Sequence, residues 1–239
     1  MLTVVSDNNK KRLLGKNKKV ALRTSQIKFE SKHKKLEIIR SAYSSATYLN
    51  RQVVLLLSSL GVPDEIFSTL LKVMKEQLDK VLTDTIHCAA MLRANRDEFG
   101  IHRNMARLVD AGFLQAEDPY ITNLIKVFRV SRLREAKRKA KIHVPGAVSV
   151  IGVLDETNTL KENQIFCQLP ARKKGNHVIK GPCVLYRSPS LHPGDIRMVE
   201  AVDCPELHDL YDVVVFSQQG KRDLPSMCSG GDLDGDIYR

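Results

Sequence analysis

The residues Cys228-Ser229-Gly230-Gly231-Asp232-Leu233-Asp234-Gly235-Asp236-Ile237-Tyr238-Arg239 decide how the rest of the chain is read. Asp232, Asp234 and Asp236 stand at alternate positions, with glycines before and among them and little bulk between. Such an all-oxygen donor set is what a hard cation such as Mg²⁺ requires. Acids packed so closely repel one another, and a loop holds them together only if a cation or several hydrogen-bond donors neutralise them. A solvated acidic turn is the plainer alternative, because Asp-Gly is also common turn chemistry. An EF-hand loop starting at Asp232 is excluded: its sixth position, which needs glycine, is Ile237, and its twelfth lies beyond Arg239.

The 239 residues suffice for one large or two small domains, and 43% hydrophobic content suffices for a core. The longest apolar run, Val53 to Leu60, is interrupted by two serines, so no membrane span is expected. The first residues lack a basic region followed by an apolar one, which removes a secretory signal and makes an intracellular protein the expectation. Cys88, Cys167, Cys183, Cys204 and Cys228 never form Cys-x-x-Cys, and the histidines are scattered, so neither structural zinc nor a disulfide framework is expected.

The formal net charge of +11 is unevenly spread. Lys and Arg dominate residues 1–40, the segment Lys126 to Lys141 and Arg172-Lys173-Lys174, whereas acids outnumber bases from Glu200 onward. A basic body around an acidic tip is the electrostatic layout of a nucleic-acid enzyme, although any single basic run is also explained as a solvated face.

Three segments are expected: 1–48, a basic N-terminal segment with short strands at Val20 to Thr24 and Leu36 to Ile39; 49–141, all-helical; and 145–239, β. Leu49, Val53, Leu56, Leu57 and Leu60 share a helical face, which Gly61-Val62-Pro63 ends. A second helix from about Asp64 to Leu82 places Ile66, Leu70, Leu71, Val73, Met74, Leu78 and Val81 largely on one side. Helices near 86–96, 102–110 and 120–141 follow, the last with Ile121, Leu124, Ile125 and Phe128 toward the core and a strongly basic C-terminal half. Those cations suit the helix dipole but exceed what capping needs, which favours a surface that tracks phosphates. After Pro145-Gly146, short β-branched runs at 147–154, 164–169, 178–187, 198–202 and 213–216 predict a small barrel or sandwich with the acidic loop at its end.

Several separated motifs carry a family resemblance. They are Asp232-Leu233-Asp234-Gly235-Asp236 with Cys228-Ser229-Gly230 before it, Tyr186-Arg187-Ser188-Pro189-Ser190-Leu191-His192-Pro193-Gly194-Asp195-Ile196-Arg197, and Gly152-Val153-Leu154-Asp155-Glu156-Thr157 through Gln164. With Leu22-Arg23-Thr24-Ser25 and Leu49-Asn50-Arg51-Gln52, in this order, the chain resembles the eukaryotic cellular RNA-dependent RNA polymerases of gene silencing. The resemblance implies an α+β fold, with a helical insertion subdomain followed by part of a double-psi β-barrel from a two-barrel catalytic core. It implies RNA-directed RNA synthesis from NTPs on a single-stranded RNA template by a two-Mg²⁺ mechanism, making double-stranded RNA for silencing, with silencing-complex proteins as further partners. Asp232, Asp234 and Asp236 are the implied catalytic metal ligands.

By the same resemblance Arg187 is expected at the incoming nucleotide, where a planar cation hydrogen-bonds phosphate or ribose; the plainer alternative is an ion pair with a carboxylate such as Asp195. His192-Pro193-Gly194-Asp195 is expected to shape a turn, and Asp155-Glu156 is equally readable as structural. The family's first barrel is expected before Met1 and the next strand after Arg239, so the chain is expected to be an inactive fragment of the enzyme. A non-catalytic RNA-binding module is the alternative, against which the 5% aromatic content and absence of Trp count as a base-stacking platform. A phosphatase of the haloacid dehalogenase type also begins with Asp-x-Asp-Gly, but there an apolar strand precedes the motif, where this chain has Cys-Ser-Gly-Gly.

Overall fold

The strand Val213–Phe216, β7 in chain order, is buried along its whole length, and its four side chains alternate between two hydrophobic clusters. Val214 and Phe216 join Val150, Ile165, Leu185, Val199 and Tyr238; Val213 and Val215 join Val153, Leu160, Phe166 and Leu207. The period-two alternation of a strand covered on both faces explains its unbroken apolar run.

The computed structural model of the chain describes residues 41–97, 99–170 and 177–239, together with positions 3, 20–22, 24, 27–33, 35 and 38. The basic run 8–19 and Arg172-Lys173-Lys174 lie outside these residues. Of the two strands expected near the N-terminus, the described positions Val20, Ala21, Leu22 and Ile38 are exposed and belong to no strand; the others, save Thr24, lie outside the described residues.

The described chain is α+β. Strand β1 (Ser45–Tyr48) leads into five helices, α1 (Arg51–Ser59), α2 (Asp64–Lys80), α3 (Thr85–Ala94), α4 (Ile101–Asp110) and α5 (Pro119–Lys139). Local chemistry sets their starts: Asn50, Asp84 and Asp118 each accept a hydrogen bond from the backbone N–H three residues on, at 2.9, 2.9 and 3.1 Å. Gly61, at φ +96°, supplies the left-handed turn that ends α1. Met74, Leu78, Val81, Cys88, Leu92, Met105, Val109, Ile121, Ile125 and Phe128 form the helical core.

On α2 the buried positions are Phe67, Met74 and Leu78, whereas Ile66 and Val73 remain 48% and 38% exposed. Leu70, Leu71, Met74, Leu78 and Val81 pack as expected, and Phe67 takes the inward position in place of Ile66 and Val73. Phe67 turns inward because it packs with Leu49, Val53, Ile142 and Tyr186, a cluster that ties α1 and the start of α2 to the β region.

The strands β2 (His143–Leu154), β3 (Gln164–Leu169), β4 (His177–Val178), β5 (Gly181–Leu185), β6 (Arg197–Ala201), β7 and β8 (Ile237–Tyr238) complete a mixed sheet of eight strands in the order β1-β2-β7-β3-β6-β5. β4 pairs with β3, and β8 with β2. β2 runs parallel to β7 and antiparallel to β8, which brings the end of the acidic loop onto the middle of the sheet. Among the described residues no helix is long and apolar enough to cross a membrane.

Two β2 features seat that loop. A Cβ on Gly152 would lie 2.6 Å from the Tyr238 ring and 2.8 Å from the Phe216 ring, so only glycine lets these two aromatics meet edge to face at 4.8 Å. Just past the strand, Asp155 is 0% exposed and accepts hydrogen bonds from the backbone N–H groups of Thr157, Asn158, Thr159 and Leu160 and from the Thr157 hydroxyl. Burial pushes its pKa up, but the donors, led by Leu160 and Thr157, outweigh it and hold the carboxyl below its ordinary value. Asp155 is therefore a structural anchor.

Gly152→Ala is expected to destabilise the protein by about 2 kcal/mol through overpacking, read as a lowered melting temperature. Asp155→Asn is expected to cost about 3 kcal/mol at pH 7, because an amide cannot accept from donors on every side. Since the folded-state pKa of Asp155 is depressed, its contribution is present above the unfolded aspartate pKa and is lost as pH falls through the folded value. The stability gap between wild type and Asp155→Asn should accordingly narrow in denaturant titrations as pH is taken below about 4.

Candidate metal centre

The acidic loop leaves α6 (Leu224–Met227), a single turn whose first N–H groups are capped by Asp223 through a 2.9 Å bond from Ser226 N–H. Backbone bonds from Gly230 to Ser226 O and from Gly231 to Cys228 O then fold the chain back on itself. Ser229 and Gly230 are both left-handed, at φ +56° and +64°. Gly231 is a close-approach position: a Cβ there would lie 2.5 Å from the Tyr238 hydroxyl, 2.8 Å from Arg187 Cδ and 2.9 Å from the Pro225 carbonyl. Gly235, at φ +139°, reverses the chain between the second and third acids.

Hydrogen bonds inside the loop fix where the carboxylates point. Asp234 N–H donates to Asp232 Oδ1 and Asp232 N–H to Asp236 Oδ2, both at 3.0 Å. The Tyr238 hydroxyl donates to the Asp232 carbonyl at 2.8 Å, tying the loop to its own exit strand. The three carboxylates each present an oxygen within 4.8 Å of the other two, with Asp232 and Asp234 exposed and Asp236 half-buried.

Arg187 completes the group from another part of the chain. Its backbone pairs with Tyr238, its Nε lies 2.6 Å from Asp236 Oδ2, and its Nη1 donates to the Ser229 carbonyl at 3.2 Å. Among the described residues Arg187 makes its ion pair with Asp236 and not with Asp195. Asp195 instead accepts from the N–H groups of Leu191 and His192 at 3.0 and 3.1 Å and holds the short 3₁₀ turn Pro193–Asp195.

The charges are unbalanced. The N–H of Asp234 and its carboxyl group, followed by the charge of Arg187, lower the pKa of Asp232, whereas the bond to Asp232 and its negative charge raise that of Asp234. Hydrogen bonding to Asp236 raises the pKa of Arg187 and keeps its charge in place. Three acids thus face one guanidinium, and the strain appears as a carboxyl at Asp234 that resists ionising. A hard divalent cation fits this donor set: it consists of carboxylate oxygens, they converge, and added positive charge relieves the repulsion.

Three of the residues that hold this geometry, Tyr238, Ser229 and Pro225, were not among the sequence candidates. Tyr238 continues the alternate spacing of Asp232, Asp234 and Asp236, which was the available signal. The Ser229 and Pro225 carbonyls act through the backbone and leave none.

The family model for RNA dependent RNA polymerase matches residues 1–239. RNA-dependent RNA polymerase 1 of Arabidopsis thaliana is 39% identical over 226 residues, covering 93% of this chain and 20% of that protein. RNA-dependent RNA polymerase 1 of Schizosaccharomyces pombe is 38% identical over 235 residues, covering 90% of this chain and 19% of its own. RNA-dependent RNA polymerase 6 of A. thaliana is 37% identical over 236 residues, covering 92% and 20%. The chain therefore spans about a fifth of the length of these relatives. A solved structure, RNA dependent RNA polymerase QDE-1 from Thielavia terrestris, shares the fold with a TM-score of 0.61 at 24% identity, over 83% of this chain and 25% of that one. On the match along its whole length, the chain belongs to the RNA-dependent RNA polymerase family.

Proposed function

We propose that the chain carries the catalytic metal centre of an RNA-directed RNA polymerase that copies single-stranded RNA from NTPs and supplies double-stranded RNA for silencing inside the cell. The observation that carries this reading is the convergence of Asp232, Asp234 and Asp236 beside Arg187. In this reading the mixed sheet is part of a double-psi β-barrel, residues 49–141 are a helical insertion, and residues 145–239 are the barrel segment. Silencing-complex proteins are its further partners.

Asp232, Asp234 and Asp236 would hold Mg²⁺. When bound, the metal activates an RNA 3′-hydroxyl and stabilises the pyrophosphate leaving group. The chain's own residues prepare that site. Gly230 and Gly235 supply the positive-φ turns of the loop and Gly231 lets Tyr238 and Arg187 close against it, while exposure of Asp232 and Asp234 leaves the site open to RNA and NTP. Arg187 has two tasks. Its bonds to Asp236 Oδ2 and the Ser229 carbonyl hold one carboxylate with its other oxygen available to the metal. Its Nη2, which makes no hydrogen bond among the described residues, is the group offered to the phosphate or ribose of the incoming nucleotide.

In the complete protein, Asp234→Ala is expected to reduce nucleotide incorporation on single-stranded RNA to background while leaving the RNA dissociation constant within about threefold. Incorporation at the wild-type rate contradicts the assignment. Arg187→Gln is expected to weaken Mn²⁺ binding, read by the paramagnetic resonance of the free ion, by about 10- to 100-fold. It should also raise KM for NTP, and Arg187→Lys should not restore either property, because an ammonium cannot reproduce the fork that joins Asp236 to Ser229.

A further inference from the structure

The basic C-terminal half of α5 is not used by the metal centre, and only part of the positive charge there and just after it is paired. Arg129 donates to Asp79 at 3.0 Å through Nε, Arg132 pairs with Glu135 at 3.0 Å, and Lys141 reaches the same Glu135 at 2.7 Å. These three are paired with two carboxylates, Arg132 and Lys141 sharing Glu135. Arg134, Lys137 and Arg138 are exposed, and among the described residues no carboxylate pairs with them.

Capping does not account for them either. The carbonyl of Arg138 is already bonded by Arg51 Nη2 from α1 at 2.8 Å, and Glu135 O receives the N–H groups of Ala140 and Lys141. Neither of these bonds uses the side chains of Arg134, Lys137 or Arg138.

At 3.6 residues per turn, Arg134, Lys137 and Arg138 share the outward stripe of α5 with Tyr120, Val127 and Val130, which are 67%, 64% and 49% exposed. The surface is indented beside Val130, Leu133, Arg134, Lys137 and Arg138. β2 then leads from this end of the helix, at His143, to Gly152, whose N–H bonds to the Asp236 carbonyl at 3.2 Å. Nine steps of strand at about 3.3 Å carry the chain at most about 30 Å from His143 to Gly152, and the five residues from Arg138 to His143 add at most about 17 Å, so the patch lies within about 50 Å of the acidic loop.

We propose that Arg134, Lys137 and Arg138 form a second RNA-backbone contact, engaging phosphates of a strand or duplex that extends beyond the metal centre. The inference rests on the polymerase reading for its ligand. Guanidinium groups with no carboxylate partner among the described residues favour phosphate, which arginine binds in a planar fork. Backbone phosphates carry no sequence information, so the contact is expected to be independent of sequence.

The test compares the complete wild-type protein with Arg134→Gln/Lys137→Gln/Arg138→Gln, substitutions that keep helix propensity on an exposed face. Binding of a labelled 20-base-pair RNA with a single-stranded overhang is measured across KCl concentrations. The triple variant is expected to bind about 10- to 100-fold more weakly at 0.15 M salt, with its slope against log salt reduced by about 2.7, or three contacts at about 0.9 each. In single-nucleotide incorporation, KM for that RNA should rise, whereas KM for an RNA with only five base pairs should not. Unchanged affinity and slope would overturn the proposal, as would equal effects on the long and short RNAs or loss of a bound protein with RNA affinity intact. A wild-type protein that shows the full slope but incorporates no nucleotide would refute the polymerase reading and leave the patch standing.

Discussion

Repulsion among Asp232, Asp234 and Asp236 is the constraint on which the architecture around the loop depends. Their oxygens converge within 4.8 Å, and a free acidic segment would splay apart. Three kinds of restraint oppose this. The backbone N–H groups of Asp232 and Asp234 donate back into the carboxylates, Arg187 supplies the one cation paired with the loop among the described residues, and Tyr238 clamps the Asp232 carbonyl. The residual imbalance appears as the raised pKa of Asp234. A site left short of positive charge is poised for a divalent ion rather than completed by protein groups alone.

The fold makes this arrangement rigid by placing both ends of the loop on one framework. Tyr238 pairs with Val150 on one side and with Arg187 on the other, so the exit strand lies between β2 and the segment that carries the arginine. Gly152 and Gly231 are the contact points where backbone must approach aromatic ring, hydroxyl or guanidinium stem without an intervening Cβ. Tyr186, next to Arg187, is packed with Leu49, Val53, Phe67 and Ile142, and Asn50 reaches Ser188 at 3.2 Å. The first helices thus buttress the segment that holds the acidic loop, which links helical packing to the electrostatics of the site.

Much of this was legible in the sequence where the determinants are local. Apolar spacing places the helices to within a few residues of Arg51–Ser59, Asp64–Lys80, Thr85–Ala94, Ile101–Asp110 and Pro119–Lys139, and the β-branched run Val213 to Phe216 reads as a strand. The acids at 232, 234 and 236 are similarly self-evident. What failed was decided at a distance. Ile66 and Val73 fit an apolar face of α2 as well as Phe67 does, and the choice is made by Ile142 and Tyr186, far along the chain. Strand β1 was missed because four residues carry too little pattern without its partner β2. The choice of Asp236 over Asp195 as the partner of Arg187 follows from the pairing of Arg187 with Tyr238, a register that sequence spacing does not encode.

The most direct measurement is an anomalous-scattering map of the Mn²⁺-soaked protein. The account predicts a peak with oxygens of Asp232, Asp234 and Asp236 in its coordination sphere, at roughly 2.0–2.3 Å, while Arg187 stays hydrogen-bonded to Asp236. A saturating soak that places Mn²⁺ elsewhere, with the three carboxylates still bonded only to protein donors, would contradict it.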